Sequence, residues 1–342
     1  MKCIDAEGHV MEQDQELQQF LEKPYCDSTT LTAFPFFPTL DGWHREARRV
    51  ADGRGRDIVI PTAEDWLALL HTLGIEQAIL YPSQGLGFGF IKDAVWATVL
   101  ARGYNNWLAA NFVQKAPHQL RGVALLPVQD MQAAVIELKR AVEELGFVGG
   151  FIPAVGLRQP LGSAYYYPLY EAAEKLSCSI GVHGASGQGL GFDFFEQFVE
   201  SRSLAHPFSQ MIQFTSVLFE RVLERFPGLH IAFLEGGSGW LPFLLERMER
   251  EYTHKKTKLS YSPLEQIKHS NVYFHTELDE SMLPNVIALL GEDRLMGATD
   301  FPHEPATECR ETLENFNRRN DLASSAKEKI LYTNAQRFYR LK

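Results

Sequence analysis

Eight short β-like runs, each followed by an amphipathic helical run, predict an α/β protein whose parallel sheet closes into a (β/α)8 barrel of the TIM type. Two further observations agree. The chain has 342 residues, a length that such barrels occupy as one domain. Its chemistry-bearing residues also fall at the ends of several β-like runs, on the face where barrels of this kind carry their sites. The composition, 45% hydrophobic and 22% charged, is that of an ordinary globular protein. We therefore expect a single domain over 1–342, interrupted by one long loop after the first strand.

The elements follow in order. Lys2–Asp5 reads as the first strand. Residues 10–60 form an excursion too long for an ordinary βα connection, and such loops carry function or are disordered. Its aromatics and prolines, Phe34-Pro35-Phe36-Phe37-Pro38, suggest packing, as a lid over the barrel mouth would. Helix Ala63–Leu73 has Thr62 as an N-cap before Glu64-Asp65 and Gly74 as a stop. Strand Gln77–Tyr81 leads into Gly85-Leu86-Gly87-Phe88-Gly89, which is not a G-x-G-x-x-G opening a helix and reads as a mobile loop. Helix Asp93–Lys115, strand Gly122–Pro127 and helix Met131–Leu145 follow, the last stopped by Gly146. Then come strand Val148–Pro153, helix Tyr167–Leu176, strand Ser179–His183 and helix Ser209–Arg225, with Gly228 beyond it. Strand His230–Glu235, helix Trp240–Thr253, strand Val272–Thr276, helix Ser281–Leu289, strand Arg294–Thr299 and helix Ala306–Arg319 complete the alternation. Ser324–Arg340 reads as a closing helix.

Charge and cysteines exclude several classes. A formal net charge of −10 argues against a nucleic-acid partner, which needs a basic face. Cys3, Cys26, Cys178 and Cys309 are scattered without C-x-x-C spacing, so free thiols in a reducing cytoplasm are expected. The N-terminus lacks a basic segment followed by an apolar one, and no apolar run reaches the ~18 residues of a membrane span.

The run Ile4-Asp5-Ala6-Glu7-Gly8-His9 carries the most chemical information. Side chains two apart on a strand share one side, so Glu7 and His9 can converge on one metal ion. Reading the other strand ends adds His183, Glu235 and Asp300. Two imidazoles with several carboxylates suit Zn²⁺, and an oxygen-rich set also suits Mn²⁺. His206-Pro207-Phe208 brings an imidazole toward the site or packs the start of a helix. His303 fixes its loop or bonds a ligand carboxylate. Trp240 is core or pocket wall. Arg45, Arg48, Arg49, Arg54 and Arg56 are a solvated loop or a carboxylate clamp. Arg247 and Arg250 stand at i and i+3 on one helix and suit a surface ion pair with Glu246 or Glu251.

Several stretches resemble one family. Asp5-Ala6-Glu7-Gly8-His9 resembles the N-terminal metal motif of the amidohydrolase superfamily in its Glu-x-His variant. Thr299-Asp300-Phe301-Pro302-His303 resembles the signature closing the barrel in the second amidohydrolase family, which includes amino-carboxymuconate-semialdehyde decarboxylase. The block Phe226–Pro242, with Glu246-Arg247 after it, and His206-Pro207-Phe208 are similar to that family too. The resemblance spans residues 4 to 303.

It implies that Glu7, His9, His183 and Asp300 hold one divalent ion, Zn²⁺ or alternatively Mn²⁺, and that Asp300 also handles protons. It implies a small-molecule substrate and, as in many relatives, a homodimer, in which Arg247 or Arg250 would be the helix arginine that can reach the neighbouring subunit's site. Many decarboxylases of the family have His where this chain has Glu235, so Glu235 is expected as a base or as a group orienting a ligand imidazole, with His206 as a further catalytic candidate. The expectation is therefore a metal-dependent hydrolase. Bound water, its pKa lowered to about 7 by the ion, would attack a carbonyl-type carbon. The alternative is non-oxidative decarboxylation of an aromatic or unsaturated acid, with Asp300 protonating the ring carbon.

Overall fold

The computed structural model describes residues 2–40, 60–187, 189–192 and 194–342. Its centre is one eight-stranded sheet in the order β1 to β8, every neighbouring pair parallel. The strands are β1 (Ile4–Val10), β2 (Gln77–Pro82), β3 (Leu120–Leu125), β4 (Gly149–Pro153), β5 (Ser179–His183), β6 (His230–Leu234), β7 (Asn271–His275) and β8 (Leu295–Met296). Helices alternate with them, as the (β/α)8 reading requires. Tyr81 and Phe151 face the barrel interior, while Phe233 and Phe274 pack outward against Phe214 and Trp240 of the helices, all four strand aromatics being fully buried.

Local chemistry explains the helix boundaries. Thr62 and Asp65 form a reciprocal capping box at the start of Ala63–Leu73, and Gly74 ends that helix at φ +68°, a left-handed turn that glycine adopts without steric cost. Asp93 accepts from the backbone N–H groups of Val95 and Trp96, and Asp130 from those of Gln132 and Ala133, satisfying donors with no partner inside the helix.

The eighth strand is short, and side chains close the barrel beside it. His9 N–H donates to the Phe301 carbonyl at 2.8 Å. Asp5, wholly buried, accepts from the Thr299 N–H at 2.9 Å and from its hydroxyl at 2.5 Å. From below, the Tyr339 hydroxyl donates to the Ala6 carbonyl at 2.7 Å and meets the Tyr81 hydroxyl at 2.7 Å.

Four expectations need correction. The first strand runs to Val10, so Glu7 and His9 lie within it, across an irregularity in register between Asp5 and Gly8. The fifth helix begins at Phe198 and continues to Phe219, so His206 and Pro207 are inside it. The glycine-rich stretch is a packed 3₁₀ segment, Gln84–Phe90, whose glycines are buried. A methyl group at Gly89 would lie 2.1 Å from the Val155 carbonyl oxygen, so glycine there permits a close backbone contact. The closing helix is interrupted by a wider turn, Lys329–Thr333, between Ser324–Glu328 and Asn334–Phe338.

Within the long insertion, Phe36 and Phe37 are buried against Trp96 and Phe88, with ring centroids 5.5 and 6.4 Å apart. Arg45, Arg48, Arg49, Arg54 and Arg56 lie outside the described residues. Among the described residues, no helix is long and apolar enough to cross a membrane.

Candidate active site

The barrel brings Glu7, His9, His183 and Glu235 together, with one ligand atom from each lying within 4.8 Å of the others. Gly8 makes the strand geometry feasible, because a methyl there would sit 2.2 Å from Cη2 of Trp66. The indole N–H of Trp66 instead donates to the His9 carbonyl at 3.2 Å. His9 Nδ1 lies 3.0 Å from the Pro82 carbonyl and His183 Nδ1 lies 2.6 Å from the Gly184 carbonyl. A carbonyl only accepts, so each Nδ1 carries hydrogen and each ring aims its Nε2 into the site, where a lone pair is available whenever that nitrogen carries no proton.

Those two Nε2 atoms are 3.3 Å apart. Glu7 Oε1 is in contact with His183 Nε2 and lies 3.3 Å from His9 Nε2. Glu235 Oε2 is 2.8 Å from His183 Nε2. Among the described residues, neither oxygen of Glu7 nor Oε2 of Glu235 has a hydrogen-bond partner. Buried lone pairs that face one another without donors require positive charge. Burial lowers the basicity of His183, but Glu7 and Glu235 outweigh it and lift its pKa well above the ordinary imidazole range. Burial likewise opposes ionisation of Glu7 and Glu235, and their histidine neighbours reverse it and hold both carboxyls below the usual carboxylate range. A proton answers this demand for charge at one ring; a divalent ion answers it for the whole group, and its imidazole and carboxylate donors fit such an ion.

Asp300 belongs to an overlapping group with His9, Glu235 and His303. Its Oδ1 is 3.6 Å from His9 Nε2 and accepts from His303 Nδ1 at 2.8 Å. His303 Nε2 in turn meets the Ser83 hydroxyl at 2.8 Å. Burial opposes protonation of His303, yet the Asp300 carboxylate lifts it to about 9. Glu235 and Asp300 both occupy left-handed backbone, at φ +48° and +57°, a conformation that L residues other than Asn and Asp rarely adopt. Such strain gathers at sites where a side chain must be aimed. The buried Asp5–Thr299 pair holds the residue before Asp300 in place.

His206 Nδ1 lies 3.3 Å from Glu235 Oε1. Enclosure lowers its pKa, with Glu235 pulling the other way. A cavity of about 540 Å³ opens above, lined by Arg202, His206, Glu235, Glu277, Asp300 and Glu304 among others. The structure thus gathers Glu7, His9, His183, Glu235, Asp300 and His206 in one place. It seats Glu235 among the potential ligand atoms rather than only behind them. Trp240 is buried against Phe214 and Phe274, and Arg247 lies 3.9 Å from Glu251 at the surface. Three residues escaped the sequence reading. His275 ends β7 and was accessible to the same strand-end rule, Glu277 follows it, and Arg202 has no local signal because its helix was placed too late.

Comparisons with known proteins agree with this picture. The chain matches the model of the Amidohydrolase family over residues 79–341. It is 26% identical over 330 residues to gamma-resorcylate decarboxylase of a Polaromonas species, covering 92% of this chain and 95% of that protein. It is 26% identical over 256 residues to 2-amino-3-carboxymuconate-6-semialdehyde decarboxylase of Dictyostelium discoideum, covering 73% and 69%. Its fold superposes with a TM-score of 0.70 on a dihydroxybenzoic acid decarboxylase from Polaromonas bearing manganese and 2-nitroresorcinol, at 22% identity over 99% of this chain and 96% of that one.

The expectation of hydrolysis is overturned by these matches, because the relatives are decarboxylases. The donor set could not separate the two reactions. A carboxylate beside the cluster can take a proton from water or give one to carbon.

Proposed function

This chain belongs to the Amidohydrolase family, and from that membership we propose that it is a metal-dependent carboxy-lyase releasing carbon dioxide from a small hydroxylated aromatic acid. Like the relatives it matches, it is an enzyme acting on a small molecule. The observation that carries the reading is Asp300, held by His303 at the cavity floor beside the imidazole and carboxylate cluster.

Glu7, His9, His183 and Asp300 would hold the ion, with Glu235 as a further oxygen donor. The abundance of carboxylate, together with the manganese of the Polaromonas relative, favours Mn²⁺ over Zn²⁺. When bound, the ion would supply positive charge to an anionic substrate. Arg202, at the cavity wall, meets the anionic substrate at the mouth. Asp300, taking up the proton that His303 holds beside it, would pass a proton to the ring carbon that bears the carboxylate. The bond from that carbon to the carboxylate then breaks, its electron pair stays with the ring, and carbon dioxide leaves. His303 holds a proton beside Asp300 and can restore the acid.

Residues 10–40 of the insertion, packed on Trp96 and Phe88, would cover part of this mouth, all within one domain; the rest of the lid expected over 10–60 lies outside the described residues. The four unpaired thiols suit a reducing cytoplasm. Phe208, Ile212 and Phe243, exposed on helices Phe198–Phe219 and Trp240–His254, offer apolar surface that a second copy would cover in a homodimer.

The test is carbon dioxide release by Mn²⁺-loaded protein from a panel of hydroxybenzoates, including 2,6-dihydroxybenzoate. At least one should yield equimolar carbon dioxide and decarboxylated phenol. Metal-loaded protein that turns over none of the panel would overturn the proposal.

A further inference from the structure

Four histidines are buried among the described residues: His9, His183, His230 and His275. In the first three, Nδ1 lies against a backbone carbonyl, of Pro82, Gly184 and Phe338 respectively. His275 differs. It ends β7 with 2% of its surface exposed, and neither ring nitrogen has a hydrogen-bond partner among the described residues. A satisfied core histidine does not look like this, since buried polar atoms are normally paired.

Its neighbours are informative. Nε2 lies 3.9 Å from Glu7 Oε2, and Nδ1 lies 3.8 Å from Glu277 Oε1, each a few tenths of an ångström beyond a hydrogen bond. Glu7 is wholly buried and divides its oxygens. Oε1 faces His9 and His183, while Oε2 faces His275. Glu277, at the cavity wall, reaches the ring from the opposite side.

We infer that His275 is a positioning residue for the metal centre. Its Nε2–H would hold the outer oxygen of Glu7 and leave the inner one to a divalent ion, with Glu277 lying against Nδ1 on the other side of the ring. Ligand carboxylates are commonly oriented by such outer hydrogen bonds. The inference rests on reading Glu7 as a metal ligand. It accounts for a buried histidine whose two ring nitrogens each face a carboxylate.

The test measures Mn²⁺ binding to metal-free protein, following free Mn²⁺ by electron paramagnetic resonance, with thermal melting of the same metal-free samples. His275→Leu removes both nitrogens, whereas His275→Gln keeps an N–H near the position of Nε2. Leu should raise the Kd for Mn²⁺ about 10- to 100-fold, and Gln should restore it to within a few-fold. The metal-free Leu variant should melt no lower than the parent, because it loses unpaired polar atoms. Parent-like Mn²⁺ affinity in the Leu variant would overturn the inference and leave the metal centre standing. Equal loss in Leu and Gln, in step with a lower melting temperature, would reduce His275 to packing and also overturn it. A parent protein that binds no Mn²⁺ would overturn the metal reading itself, and this inference with it.

Discussion

Asp300 concentrates the chemistry proposed here in one carboxyl group. It sits in left-handed backbone, bonds to His303, and borders the cavity beside His9. Its amide analogue keeps that shape but cannot carry the proton. Asp300→Asn should therefore lower kcat by about 10²- to 10⁴-fold, the usual worth of a positioned general acid, and the protein should stay folded by circular dichroism. Steady-state carbon dioxide release decides the matter, and a variant with near-native kcat refutes the assigned role. His183 and Glu235 could be read from the sequence because each ends a strand or lies just past it, Glu7 and His9 because they stand two apart on a strand whose end was placed too early, and Asp300 because it stands in a stretch that resembles a family signature. Arg202 and Glu277 owe their place to the packing of a helix and a loop around the cavity. His275 was within reach of the strand-end rule, but its significance lies in the absence of partners, which only tertiary structure reveals.

At the level of elements, short-range chemistry was the legible part. Ala63–Leu73, Tyr167–Leu176 and Ser179–His183 occupy the residues that periodicity and capping select. Elements set by distant neighbours were misread. The Gly85 to Gly89 segment looked mobile because its packing partners, such as Val155, are far away in sequence. Pro207 looked like a boundary, yet it lies inside Phe198–Phe219, where a proline costs one helical hydrogen bond. The docking of Asn334–Phe338 beneath the barrel was equally invisible, and it carries a testable consequence. His230 in β6 sets Nδ1 3.0 Å from the Phe338 carbonyl, and burial lowers its pKa below the free value. The folded state therefore binds fewer protons than the unfolded chain below that value. Its contribution to stability is present above about pH 6.5 and is lost as pH falls through the depressed folded pKa. His230→Asn keeps an N–H near the position of Nδ1, and so a donor for Phe338, but does not titrate. Between about pH 7.5 and 5.5 its melting temperature should fall less than that of the parent, and parallel slopes would contradict the argument.

At the scale of the molecule, the barrel gathers carboxylates from β1, the turn after β6 and the turn after β8 around two imidazoles. The hydrophobic core of the strands holds Glu7 and both rings in place, so the charge cannot relax by moving to solvent. The two ligand groups share His9 and Glu235, and one imidazole Nε2 has a single lone pair to give. Together they describe one ion per chain rather than two. Because the centre exists only when the barrel is closed, metal binding must be coupled to folding. An ion that binds the folded chain alone stabilises it by about 2.7 kcal/mol at a hundredfold excess over Kd. Chelator-treated protein should accordingly melt at a lower temperature, and its melting temperature should climb steadily as Mn²⁺ is added. Elemental analysis of protein purified without chelator should find about one divalent ion per chain. A melting temperature indifferent to Mn²⁺ would mean that the buried lone pairs are satisfied by protons alone, and the assignment of a metal centre would fall.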